Sequence, residues 1–176
     1  MKTPRNQPPA AGHWTDRLKA FLPSPETLAA HPWLKPVAHR LLDPPLWRFT
    51  HEAVARGVAI GIFWAFAIPL AQIVVAVAHS VWWRANIPVA AGITLITNPF
   101  TIGFWLWLAY QLGSLLLDAP VPVPLAEGAG VLDWLSFFGG PALLGMAIFA
   151  VAGSASGYLC VKLAWRLRIW FKRRHR

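Results

Sequence analysis

Charge is what the middle of this 176-residue sequence lacks. Between residues 57 and 161 only Arg84, Asp118, Glu127 and Asp133 are ionised. Soluble domains are about a quarter charged, so four charges could not cover a water-facing fold of that length. Cysteine is also scarce: Cys160 stands alone, which excludes an intramolecular disulfide or a zinc site. In its apolar run it reads as a small buried hydrophobe. The first twenty residues hold no apolar core of about 7–15 residues, so no cleavable signal peptide is expected. No GxSxG, phosphate-loop, GxGxxG or HExxH pattern occurs, and the six histidines show no ligand spacing. The reading is therefore non-enzymatic, with no catalytic residue, metal or cofactor expected.

The sequence has 16 Lys+Arg against 7 Asp+Glu, a net charge of +9. The layout of the cations decides what they meet. Eight precede Gly57, seven follow Val161, and Arg84 lies between. Basic clusters flanking apolar runs mark the cytoplasmic sides of membrane spans, and no motif points to nucleic acid. The sequence divides into a disordered tail (1–22), an interfacial or juxtamembrane helical segment (23–56), a membrane domain (57–161) and a basic cytoplasmic tail (162–176). In the second part, Ser24-Pro25-Glu26 reads as a helix start. Leu34, Leu41, Leu46 and Trp47 alternate there with Lys35, Arg40 and Arg48, a pattern suited to the headgroup plane or to a solvated linker.

Three uncharged runs follow. Gly57–Trp83 would make a helix of about 40 Å against a hydrocarbon core of about 30 Å, with Pro69 near its middle. Ala85–Leu117 would reach about 50 Å and is divided by Pro88 and by Asn98-Pro99-Phe100-Thr101. Trp134–Val161 is loosened at Gly139-Gly140-Pro141. The proline-rich loop 118–133 holds three acids and no base, which places it outside the cell. Three simple spans would put the two basic ends on opposite sides. Charge bias wants both inside, so one run must be re-entrant. A hairpin at Pro69 keeps Arg84 inside, and one at Asn98-Pro99 does not. The expected architecture is all-α and integral to a membrane. It has two full transmembrane helices plus a proline-broken re-entrant hairpin, with three to four spans as the alternative.

Leu46-Trp47, Val54-Ala55-Arg56-Gly57, Pro69, Gln72, Arg84-Ala85-Asn86-Ile87-Pro88, Asn98-Pro99-Phe100-Thr101, Tyr110 and Gly113 come in an order that resembles the bacterial domain of unknown function family 2062. The resemblance covers about residues 22–168. It implies an inner-membrane protein and no known activity. Some relatives look to be fused to a glycosyltransferase, which implies work beside cell-envelope biosynthesis. Where relatives often carry another proline or glycine, this chain has Leu70-Ala71.

The polar groups within the runs are Gln72, His79, Ser80, Thr94, Thr97, Asn98, Thr101, Gln111 and Ser114. Such groups face a bundle interior or a cavity. Gln72, Arg84, Asn86, Asn98 and Thr101 form the candidate polar pocket, beside helix breaks at Pro69, Pro88 and Pro99. Asn98 and Thr101 either line a substrate or ion site or cap the broken helix. His79 has no acid in the runs, which argues against proton-coupled transport. Gly57, Gly61, Gly153 and Gly157 supply faces for close helix packing within the chain or between copies. The expected partners are the bilayer, envelope-biosynthetic proteins, a possible second copy, and anionic headgroups along which the basic tail would lie. A small oligomeric transporter or channel is the alternative.

Overall fold

The computed structural model describes Thr27 and residues 30–68, 71–117 and 131–174, with side chains for all of these but 131–138. The disordered-tail reading of 1–22, the helix start at Ser24, Pro69 and most of the loop 118–133 lie outside them. The described residues form helices and turns, with no strand among them.

Two prolines, Pro32 and Pro44, start the first elements. Pro32 opens a 3₁₀ helix over Pro32–Val37 that contains Pro36, and it leads into α1 (Ala38–Leu41). Pro44 opens a second 3₁₀ turn, Pro44–Trp47. Neither proline has an N–H to lose in a first turn. Leu34, Leu41 and Leu46 are buried with Val77, Val81, Ile87 and Ala91, and Trp47 Nε1 donates to the Leu41 carbonyl (2.7 Å). The segment is thus docked on the helical body by its leucines, rather than being a free linker.

Thr50 caps α2 (His51–Ala67) by accepting from the Ala53 N–H. Ile68, the residue before Pro69, is extended at φ −139°, as proline imposes on its predecessor. Ala71 is left-handed (φ 57°) at the start of α3 (Gln72–Trp83). Arg84 closes α3, also left-handed (φ 52°), and the Ala85 N–H donates back to the Ser80 carbonyl (2.9 Å). Asn86 caps α4 (Ile87–Thr94), whose first turn holds Pro88. After the Asn98-Pro99 turn come α5 (Ile102–Leu117) and α6 (Val131–Arg174).

Helix α3 turns back on α2, so α2 and α4 run parallel with α3 antiparallel to both. The Asn86 N–H donates to the Ala53 carbonyl at one end (2.9 Å), and Thr97 Oγ1 lies 2.9 Å from the Ala65 carbonyl at the other. Helix α6 runs antiparallel to its neighbours. From Phe149 onward it packs on α2, with Phe149 against Phe66 and Tyr158 reaching Glu52. Its first half packs on α5. Among the residues with large exposed apolar side chains are Phe100, Phe104, Trp107, Leu115, Leu143 and Val151.

Three expectations change. Val131–Asp133 belong to α6 rather than to the outer loop. Lys162–Arg174 continue α6 without a break, so the described part of the basic end is one helix with the apolar run before it. No proline or glycine lies after Gly157 to turn it. Cys160 is exposed on α6 rather than buried.

Candidate functional site

Breaking a helix frees backbone carbonyls, and away from water each needs a donor. Around Asn98-Pro99 every carbonyl from Thr94 to Asn98 has one. Gln72 Nε2 donates to the carbonyls of Thr94 (3.1 Å) and Thr97 (3.0 Å). Asn98 Nδ2 donates to Leu95 (3.2 Å). The Thr101 hydroxyl (2.6 Å) and Trp105 Nε1 (3.2 Å) donate to Ile96. The Ile102 N–H donates to Asn98 (2.9 Å). The Thr97 hydroxyl, with one proton, lies 2.9 Å from both the Ala65 carbonyl and Gln72 Oε1. Gln72, Thr94 and Thr97 are buried. The end of α2, the start of α3 and the end of α4 thus meet in one polar junction.

Asn98 and Thr101 also satisfy donors. Asn98 Oδ1 accepts from the N–H groups of Phe100 (2.9 Å) and Thr101 (3.0 Å), and Thr101 Oγ1 accepts from Asn98 (3.1 Å). Their polar atoms are engaged in capping. Arg84 and Asn86 sit elsewhere, at the far end of α3 from Gln72, about 17 Å along the helix. There Asn86 Oδ1 accepts from the Val89 N–H (2.9 Å), and its Nδ2 donates to the Arg48 carbonyl (3.0 Å). The five candidate pocket residues therefore fall into two groups. Among the described residues, no buried side-chain nitrogen or oxygen lacks a partner, and no cluster of three His, Cys, Asp or Glu could hold a metal.

The four packing glycines all meet helices of the same chain. A methyl group on Gly57 would lie 2.8 Å from the Asn86 carbonyl, and one on Gly61 2.7 Å from that of Ala90, so both face α4. Gly153 and Gly157 take the Ile62 side chain of α2 at 3.0 and 2.6 Å. His79 lies between α2 and α3. Trp64 Nε1 donates to its Nδ1 (2.8 Å), and Trp83 stands edge-on at 4.5 Å.

Glu52 is a tie between helices that the sequence reading passed over. Its Oε1 accepts from Tyr158 (2.8 Å) and Arg56 Nε (3.2 Å), and its Oε2 from Lys162 Nζ (2.8 Å). It joins the start of α2 to α6. The hydrogen bond from Lys162, then that from Tyr158, holds its carboxyl down to about 2, from 4.5. A depressed pKa gives stability that is complete above the unfolded value and lost as pH falls toward the folded one. Melting in detergent is expected to weaken for the wild type as pH drops from 4.5 to about 2. The Glu52→Gln variant should start lower and lose less over the same window. Equal slopes for the two proteins would refute the assignment.

A signal for Glu52 existed. It is the sole acid between Asp43 and Asp118, and Tyr158 and Lys162 share one face of a helix at a spacing of four.

A family model described as "Uncharacterized protein conserved in bacteria (DUF2062)" matches residues 34–175. No curated protein and no solved structure matches the chain.

Proposed function

We propose, from the premise that the chain belongs to this bacterial family, that it is an integral inner-membrane protein of two full spans and one re-entrant hairpin. Helices α2 and α3 enter and return on the cytoplasmic side. Helices α4 and α5 together make one discontinuous span, and α6 makes the other. Both termini are cytoplasmic. The observation that carries this reading is the return of Arg84 to the level of Arg56. Arg56 Nη1 donates to the Trp83 carbonyl (3.1 Å), and Asn86 is bonded to Ala53. Arg84 thus joins the end that holds Arg48, Glu52 and Lys162. The length and composition of α6 support a crossing, since Gly139–Arg174 has an apolar window of mean hydropathy 1.7. The exposed Phe, Leu and Trp of α5 and α6 support a hydrocarbon surround.

Within that membrane body the reading is a non-enzymatic module that assembles with or supports envelope-biosynthetic proteins. The capping roles of Asn86, Asn98 and Thr101 favour it, because they leave few polar atoms for a transported solute. The transporter alternative draws on the junction at Gln72 and Thr97, where two broken helices meet. Solute flux in reconstituted vesicles that is abolished by Thr97→Val would favour transport. Co-purification of the tagged chain with envelope-biosynthetic proteins, without such flux, would favour the module.

Topology is tested by thiol labelling. Because Cys160 is exposed, it is first replaced by serine. Single cysteines are then placed at Ala126, Arg84 and Arg176. An impermeant reagent is expected to label position 126 on intact cells, and positions 84 and 176 only after permeabilisation. Labelling of position 176 from outside would overturn the even-crossing arrangement.

A further inference from the structure

At the mouth of the hairpin, Arg84 has a backbone that glycine would hold more easily. Its φ of 52° is left-handed, a conformation that L side chains disfavour. Such a conformation persists where the surroundings fix it, here by the bond from the Ala85 N–H to the Ser80 carbonyl. The guanidinium is exposed. The Arg56 side chain and the Arg48 backbone also meet this turn. Arg56 bonds the carbonyl of Trp83, the residue before Arg84. The Arg48 carbonyl is held by Asn86, two residues after it. The nearby acid, Glu52, is already engaged by Arg56, Tyr158 and Lys162. Trp82 and Trp83 are exposed beside Arg84, as tryptophans are at the headgroup level of a bilayer.

We infer that Arg84, with Arg56, forms a binding site for the phosphate of an anionic phospholipid headgroup at the mouth of the α2–α3 hairpin. Guanidinium groups suit phosphate oxygens by paired, charge-assisted hydrogen bonds. The tryptophans give the acyl end of the lipid an apolar bed. The site is separate from the cations of 166–174 on the end of α6. The inference rests on the membrane reading above.

The test uses the full chain in a non-ionic detergent, with melting followed by tryptophan fluorescence. Phosphatidylglycerol is titrated against phosphatidylcholine and against inorganic phosphate. Phosphatidylglycerol is expected to raise the melting temperature, and the other two are not. Arg84→Gly is expected to melt at or above the wild-type temperature without lipid, since glycine relieves the backbone. It should need about fivefold more phosphatidylglycerol for half the effect, the share of one cation near an anionic surface. Arg84→Gln checks the charge without freeing the backbone. A variant with Arg166, Arg168, Lys172, Arg173 and Arg174 changed to glutamine should keep the Arg84-dependent part. An unchanged lipid response in Arg84→Gly and Arg84→Gln would overturn the site. An equal response to inorganic phosphate would also overturn it, as a site for a soluble anion. Recovery of the folded chain without detergent would sink the membrane reading as well. A detergent-requiring chain with an Arg84-independent response would sink only the headgroup site.

Discussion

Replacing Gly145 or Gly113 with alanine is expected to cost about 3 kcal/mol or more, the upper range for overpacking a close contact. A methyl group on Gly145 would run into the Ala109 carbonyl, and one on Gly113 into the Pro141 carbonyl. Each clash is with backbone, which cannot rotate away. The two are reciprocal, so α5 and α6 touch backbone to backbone at two points one helical turn apart. Close approach of this kind is a main source of helix association in lipid, where apolar burial alone gives little. The outcome is read by unfolding in mixed micelles. Gly92→Ala is the internal control. No atom lies within 4 Å of its added methyl, so it should stabilise α4 by about 0.5–1 kcal/mol. If Gly145→Ala unfolded no more easily than Gly92→Ala, the proposed backbone contact would be wrong.

The second large effect is expected at Gln72. Its amide serves the carbonyls of Thr94 and Thr97 and faces the Thr97 hydroxyl. Gln72→Leu keeps much of the bulk and removes both donors. A buried polar group left unpaired costs about 1–3 kcal/mol; the Thr94 carbonyl keeps the Thr97 N–H (3.3 Å), so a loss of about 2 kcal/mol is expected, mainly from the Thr97 carbonyl. Thr97→Val should cost less, because the Ala65 carbonyl loses one donor. The double variant should cost less than the sum, since the two residues share one network. Strict additivity in a double-mutant cycle would mean that the junction is not a unit. Trypsin accessibility of Arg84 offers a second readout, because a loosened junction would splay the hairpin.

The sequence made the break at Asn98-Pro99 and the helical class legible through simple chemistry. Proline removes a donor, and an asparagine and a threonine around it are built to replace one. The left-handed turn at Ala71 was harder to read, because glycine is the residue that usually announces such a turn. The polar groups were recognised individually, but their grouping was not. Gln72 and Asn86 are far apart along α3 although they are close in sequence. Thr97 joins Gln72 only because α4 ends where α3 begins, which no local pattern states. Gly113 and Gly145 lie in different runs, and their pairing depends on how α5 crosses α6. Glu52 was missed because a lone acid among arginines resembles an ordinary solvated residue. Its partners come 106 and 110 positions later.

The unbroken course of α6 past Lys162 has an electrical consequence. Lys162 is pinned to Glu52, and the helix then continues to Arg174. That is about 18 Å of rod at the rise of an α-helix. Mobile ions damp a field over roughly 8 Å in physiological salt. If the Glu52 clamp marks the plane of the lipid phosphates, Arg166 stands within one such damping length along the rod. Arg173 and Arg174 stand about two lengths out, where the pull of the bilayer is largely extinguished and their charge is left for the aqueous phase.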